Sequence, residues 1–310
     1  MGQHRSYAWL VGVLCGAAVW AQAPGVPIEG APVARDGKTL AGAEALRAAG
    51  KLLNREAVNA LLAKPQPARV ALPPAGTQPL GAREVCRRAR AALVRVGWYF
   101  KCQRCDKWHL NLSGGYALTA DGVVGTCHHV LAAEKIEMRE GYLVAATVDG
   151  TAWPVRTVLA CDAGMDAAIV AVDGLRCEPL ALNDQVAPGD PAYLFSDPLG
   201  VSGYFSAGLV NRFYWRQGQS GDATTLAGAK ALRVHVSTDW APGSSGAAVL
   251  DACGNVIGHV STIAVLSGGD AKPATDPKQP ATPPQPRPGQ IVLHEAVPAR
   301  CLMLLAGTLR

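Results

Sequence analysis

Charge is scarce in this 310-residue chain: Asp, Glu, Lys and Arg make up 17% of it, and 29 basic against 24 acidic residues leave a net +5. An excess that small gives no reason to expect a nucleic-acid partner. Aromatic residues are few as well, at 6%, while hydrophobic residues reach 49%. That balance excludes acidic disordered and collagen-like chains. No apolar stretch attains the ~20 residues of a spanning helix, and no internal repeat stands out. What remains is a globular protein of one large or two smaller folding units.

The apolar run that does occur covers residues 8–21, after a short start that carries His4 and Arg5 and no acid. It predicts a secretory signal over residues 1–21, cut after Ala21, with a retained membrane anchor as the alternative. The chain is therefore expected to be exported, periplasmic or secreted, with no stable membrane insertion once the signal has gone. Export gives the nine cysteines a meaning. Cys15 leaves with the signal, and Cys86, Cys102, Cys105, Cys127, Cys161, Cys177, Cys253 and Cys301 remain, an even set that predicts disulfides. Cys102-Gln103-Arg104-Cys105, with His109 close by, also reads as half of a zinc site. No second ligand pair follows at zinc spacing, so the disulfide reading is preferred and no metal is expected.

Residues 22–80 are rich in Ala, Pro and Gly and predict an N-terminal arm or pro-segment, with one helix capped by Asn54 and ending before Pro65. Residues 82–96 repeat apolar side chains at helical spacing, with Arg83, Arg87, Arg88 and Arg90 on the other side. Beyond them the pattern changes to short apolar runs at 97–100, 115–118, 123–125, 142–147, 155–159, 168–172, 192–195, 208–213, 233–236, 247–250 and 256–263. Asp121-Gly122, Asp149-Gly150 and Asp173-Gly174 separate some of them as hairpin turns. Short strands at this spacing predict an antiparallel sandwich or barrel. Residues 268–289 hold seven prolines and predict an exposed loop, before a last strand at 290–294 and a short helix at about 298–305.

Three distant segments hold the members of a possible nucleophilic triad. Acyl transfer from a serine needs a base within reach and a third group that orients the base. Gly243-Ser244-Ser245-Gly246 offers the nucleophile on a loop flexible enough to aim backbone N–H groups at an oxyanion. Thr126-Cys127-His128-His129-Val130 follows a hairpin and offers the base, and Asp166-Ala167-Ala168-Ile169 offers the acid at the start of an apolar strand. Each segment alone has a plainer reading: a loop, a buried or metal-binding histidine pair, a turn aspartate.

In this order the segments resemble the trypsin-like serine peptidases of chymotrypsin fold, closest to the bacterial Deg/Htr branch, from about Gly97 to Ile263. That family has an Asp-Gly turn, Thr-x-x-His-Val, Asp-x-Ala-aliphatic and Gly-x-Ser-Gly. The resemblance implies an all-β fold of two packed antiparallel six-stranded barrels with short flanking helices, over residues 81–310. It makes His129 the base, Asp166 its partner and Ser245 the nucleophile, with the N–H groups of Gly243 and Ser245 as oxyanion hole; Asp162 and His128 stand next in line. It implies hydrolysis of a polypeptide substrate with no cofactor. Asp239, with Trp240 and Ala241, sits where trypsin keeps the acid that selects Lys or Arg, and the three form the expected substrate pocket. Ala247-Ala248 departs from the family's Gly-Pro, and the 47 residues after Ile263 are too few for an appended peptide-binding domain. The alternative is the same fold used as a peptide- or protein-binding module with weak catalysis. The oligomeric state stays open.

Overall fold

The computed structural model describes residues 32–64, 68–134, 136–216, 220–267 and 290–309, with side chains from Arg35 and up to Leu266 at the edges of the first and fourth of these stretches. The predicted signal peptide and the proline-rich segment 268–289 lie outside the described residues.

Two helices precede the region of short strands, α1 (Pro32–Ala48) and α2 (Arg55–Leu62), with the two-residue strand β1 (Leu53–Asn54) between them. Asn54 is the predicted cap: its side chain accepts the Ala57 N–H at 2.9 Å, a contact worth about 1 kcal/mol to a helix. The described part of the stretch expected to be an N-terminal arm or pro-segment is packed. Ala43 and Val58 are fully buried, and α1 lies against the first sheet, where Gly42 leaves room for the Ala152 methyl. Helix α3 (Ala82–Ala92) follows the predicted pattern, ending earlier because Val94 already belongs to a strand. Three of the arginines on its other side meet neighbouring side chains. Arg87 pairs with Glu84 and Glu178, Arg88 pairs with Glu84, and Arg90 lies over the Phe195 ring.

The first sheet contains β2 (Val94–Cys102), β3 (Trp108–Ser113), β4 (Tyr116–Ala117), β5 (Val123–Thr126), β6 (Met138–Thr147), β7 (Ala152–Asp162) and β8 (Ala167–Val172). The order is β3-β2-β6-β7-β8-β5-β4, all antiparallel, with β1 added beside β6. A bridge between Leu93 and Tyr116 brings the path round on itself. This sheet therefore has eight strands where six were expected. Helix α4 (His128–Ala132) stands just after β5. Trp98, Val124, Leu131 and Leu143 fill the interior without exposure, each such side chain gaining roughly 1.5–3 kcal/mol over an exposed position.

The second unit is a closed barrel of six strands: β9 (Pro191–Ser196), β10 (Tyr204–Trp215), β11 (Leu232–Val236), β12 (Ala248–Leu250), β13 (Val256–Ser267) and β14 (Gln290–Pro298), in the order β10-β11-β14-β13-β12-β9. A single-turn helix, α5 (Leu226–Ala229), precedes β11, and α6 (Ala299–Leu305) follows β14. The second barrel's core holds Leu194, Val234, Val249, Ile257 and Val260. Between the units runs a third apolar cluster with Tyr116, Ile169, Phe195, Leu250 and Leu302. The two-barrel architecture implied by the sequence is therefore present.

The expected disulfides are not. All eight cysteines of the described residues are free thiols. Three of them behave as small apolar side chains whose S–H finds a carbonyl: Cys127 donates to Val260 O at 3.0 Å, Cys301 to Ala229 O at 3.6 Å, and Cys161 to Leu62 O at 3.9 Å.

Candidate active site

The base segment does not end as a strand. Residues 123–126 are extended, Cys127 is the N-cap, and His128 and His129 open the short helix α4. This turn separates the two histidines. His128 is half-buried, and burial pushes its pKa below the usual imidazole value. His129 is exposed on one side, with 48% of its side chain accessible, and faces Asp166 on the other.

Asp166 stands in a tight turn between β7 and β8. Asp162 Oδ1 accepts the Met165 N–H at 2.9 Å, and Asp162 also faces Lys230 at 3.4 Å, so this acid shapes the turn and does not reach His129. Asp166 itself adopts φ +60°, a left-handed conformation that Asp tolerates better than most residues. Its carboxylate accepts the His129 backbone N–H at 3.1 Å, and His129 Nδ1 lies 2.9 and 3.0 Å from its two oxygens. From the second barrel, Ser261 Oγ donates to Asp166 Oδ2 at 2.6 Å, and His259 Nε2–H donates to the Asp166 carbonyl at 3.0 Å. The buried Arg233 donates to Gly164 O at 2.9 Å in the same turn. Burial opposes the charge on Asp166, but the hydrogen bonds and the imidazole outweigh it and hold the carboxyl well below the ordinary range. A carboxylate accepts only, so Nδ1 of His129 carries the proton and Nε2 is left for another partner.

Ser245 lies on the loop before β12. Glycine is required on both sides of the Ser244-Ser245 pair. Gly243 has φ +102°, and a Cβ there would stand 2.8 Å from Asp197 O; Gly246 has φ +83°, and a Cβ would strike Gly114 O at 2.4 Å and Thr126 Oγ1 at 2.5 Å. The second of these contacts is the reason the nucleophile loop can close against the segment that carries the base. Neighbouring groups fix the loop: Ser244 Oγ bonds Ser196 Oγ at 3.0 Å, Gly246 N–H donates to Val260 O at 2.8 Å, and Leu199 N–H donates to Pro242 O at 2.8 Å. Among the described residues, the backbone N–H groups of Gly243 and Ser245 have no protein acceptor.

Ser245, Gly243, His129, Asp166 and Ser261 line one cavity of about 660 Å³ between the barrels. No hydrogen bond joins Ser245 to His129 among the described residues; such contacts often tighten only around substrate. The expected pocket residues lie elsewhere. Asp239 is exposed and faces Tyr204 OH at 3.4 Å, Trp240 is buried in the second core with its ring 4.7 Å from His294, and neither they nor Ala241 line the cavity. The physical reason is a contact with a distant strand: Asp239 N–H donates to Ser206 Oγ of β10, which turns the segment toward it. Sequence reasoning missed Ser261, whose role is visible only once β13 crosses behind Asp166, and it missed Asn111, Ser113 and Arg216 in the cavity wall.

Comparisons with known proteins bear on the fold and on the family the chain resembles. Residues 113–258 match the family described as trypsin-like peptidase domain. A curated relative is serine protease PepD of Mycobacterium tuberculosis, 31% identical over 168 residues; the match covers 51% of this chain and 35% of PepD. The chain thus spans about a third of the length of that relative. Among solved structures, the HtrA-type protease AlgW with decapeptide superposes with a TM-score of 0.53 at 16% identity, over 73% of this chain and 66% of AlgW. A variant of AlgW with tripeptide gives 0.50 at 18% identity, over 72% and 62% of the two chains. At such identities the superpositions speak for the fold.

Proposed function

We propose that this chain is an exported serine endopeptidase that cleaves polypeptides through His129, Asp166 and Ser245, a reading supported by the match of residues 113–258 to the trypsin-like peptidase domain family and by the similarity to serine protease PepD. The observation that carries this reading is the His129–Asp166 pair, joined at 2.9 Å in the same cavity as Ser245. Asp166 holds the imidazole with Nε2 toward the cavity. That nitrogen takes the Ser245 Oγ proton as Oγ bonds to the carbonyl carbon of the scissile peptide. The oxygen of that carbonyl becomes an oxyanion, and the unpaired N–H groups of Gly243 and Ser245 are the donors for it, each worth about 3 kcal/mol in systems of this kind. His129 returns the proton to the leaving amine, and water then hydrolyses the acyl-enzyme by the same route in reverse. The charge that develops on the imidazole lies beside a carboxylate already ionised and fully hydrogen-bonded, so little reorganisation is needed.

In this reading residues 1–21 are the export signal, and the catalytic unit runs from residue 81. The test is labelling of the purified chain with a fluorophosphonate, alongside hydrolysis of an unfolded protein substrate. Wild type is expected to label at Ser245, and Ser245→Ala to lose the label together with about 10⁶-fold in kcat. Peptide hydrolysis that survives Ser245→Ala would overturn the assignment. A wild-type chain that binds peptides but neither labels nor cleaves would point to the peptide-binding module instead.

A further inference from the structure

The hairpin of β2 and β3 carries a second cluster of reactive side chains, outside the cavity. Its register pairs Phe100 with His109 and Lys101 with Trp108. Cys102 follows a β-bulge after Lys101, which breaks the simple alternation of faces and leaves its sulfur beside the Phe100–His109 pair. The turn at residues 103–106 then brings Cys105 back to the same place: Cys105 Sγ lies 3.1 Å from His109 Nε2, and the donor atoms of Cys102, Cys105 and His109 are all within 4.8 Å of one another. The turn also aims a backbone amide at sulfur, since Arg104 N–H donates to Cys102 Sγ at 3.3 Å, a contact that favours the thiolate over the thiol.

We propose that Cys102, Cys105 and His109 bind one zinc ion at the tip of this hairpin, with solvent as the fourth ligand. Two thiolates and an imidazole are a soft to borderline donor set, suited to zinc and poorly matched to calcium or magnesium, which take oxygen. With metal–ligand bonds of about 2.0–2.3 Å, tetrahedral donors stand roughly 3.5 Å apart, so the observed cluster needs only a small inward rotation of side chains. The nearest carboxylate in the turn does not compete, because Asp106 is held by Arg139 at 2.6 Å. Two thiolates neutralise the charge of the dication. The site staples the two ends of the hairpin turn. Strand β3 continues from His109 to Asn111 and Ser113, which line the cavity, so the metal steadies one wall of it. This inference rests on the hairpin and not on the proposed peptidase activity.

The test is elemental analysis of the full chain purified under reducing, chelator-free conditions, followed by replacement of zinc with cobalt(II). About one zinc per chain is expected, and the cobalt form should absorb in the thiolate-to-metal charge-transfer region. Cys105→Ser and His109→Gln should each weaken metal affinity by at least 10-fold. Cys253→Ser, outside the cluster, should retain it. Cys105 is exposed, so its replacement leaves the core intact, and circular dichroism of each variant confirms that loss of metal is not loss of fold. A well-folded wild type that holds no zinc and gives no cobalt spectrum would overturn the proposal. So would a Cys102–Cys105 disulfide found in the reduced preparation in place of metal, or zinc retained unchanged by Cys105→Ser.

Discussion

His129 and His109 each stand among groups of metal-ligating type, Cys127 and Asp166 in one case, Cys102 and Cys105 in the other, and in both clusters the donor atoms lie within 4.8 Å. Their surroundings separate them. Around His129 every other donor is committed: Asp166 accepts from His129 and Ser261, and Cys127 is fully buried, where desolvation and the Asp166 charge push its thiol well above the usual range, so it stays protonated. Around His109 the sulfurs reach solvent and one receives an amide. In the readings proposed above, the same residue types serve a proton relay where a carboxylate is buried and wired, and a cation site where thiols are open.

That contrast can be broken in several ways. The largest effect should come from Asp166→Asn, which keeps the shape but removes the charge and offers an amide to Nδ1; kcat should fall about 10⁴-fold while zinc content stays at the wild-type level. Loss of both in one variant would mean the two clusters are not independent.

A second effect concerns acid. His259 is fully buried, and burial, the largest influence, pushes its pKa from 6.5 down to about 4; a proton added at Nδ1 would find no acceptor among the described residues. The unfolded chain therefore binds more protons than the folded one between those values, and stability falls as pH drops from about 6.5 to about 4, by up to about 3 kcal/mol. The depressed Asp166 carboxyl acts in the same direction at lower pH: its contribution is complete above the ordinary carboxylate pKa and is lost as pH falls below it. Urea unfolding at pH 7 and pH 4.5 measures the drop, and His259→Gln should flatten it. A slope unchanged in that variant would assign the acid sensitivity elsewhere.

The smallest effect tests how the nucleophile loop is braced. Arg35 of α1 pairs with Asp197 at 2.8 Å, both side chains largely buried, while Asp36 of the same turn receives Arg95 of β2 at 3.0 Å. The Asp197 backbone abuts Gly243, and the neighbouring Leu199 N–H holds Pro242 O. Arg35→Ala should cost about 2 kcal/mol of stability and lower kcat/KM a few-fold without altering zinc binding. Unchanged kinetics would make the contact structural only.

Much of this was legible beforehand where local rules and tertiary packing agree. Asp-Gly turns marked Gly122, Gly150 and Gly174, all at positive φ, and the runs between them became strands. Asn54 capped its helix as its side chain dictates. Helix α1 was hidden, because Gly37 and Gly42 interrupt its apolar spacing, and only the Ala152 contact explains the second. Strand β3 was overlooked although Trp108, Leu110 and Leu112 alternate with polar residues at period two. At the candidate site, order along the chain pointed to the residues that share the cavity, whereas Ser261 and Arg216 reach it through barrel closure, which no local pattern records. Asp239 stands outside this cavity for a similar reason, since its direction depends on a hydrogen bond to another strand.

The left-handed backbone at Asp166 has one more consequence. A position with φ near +60° filters its occupants by stereochemistry before chemistry is consulted: Gly, Asn and Asp pass readily, longer or branched side chains do not. Glu would keep the negative charge yet meet both a conformational penalty and a misplaced carboxylate. The acid of this site is therefore specified twice, once by what the imidazole requires and once by the hand of the turn that presents it.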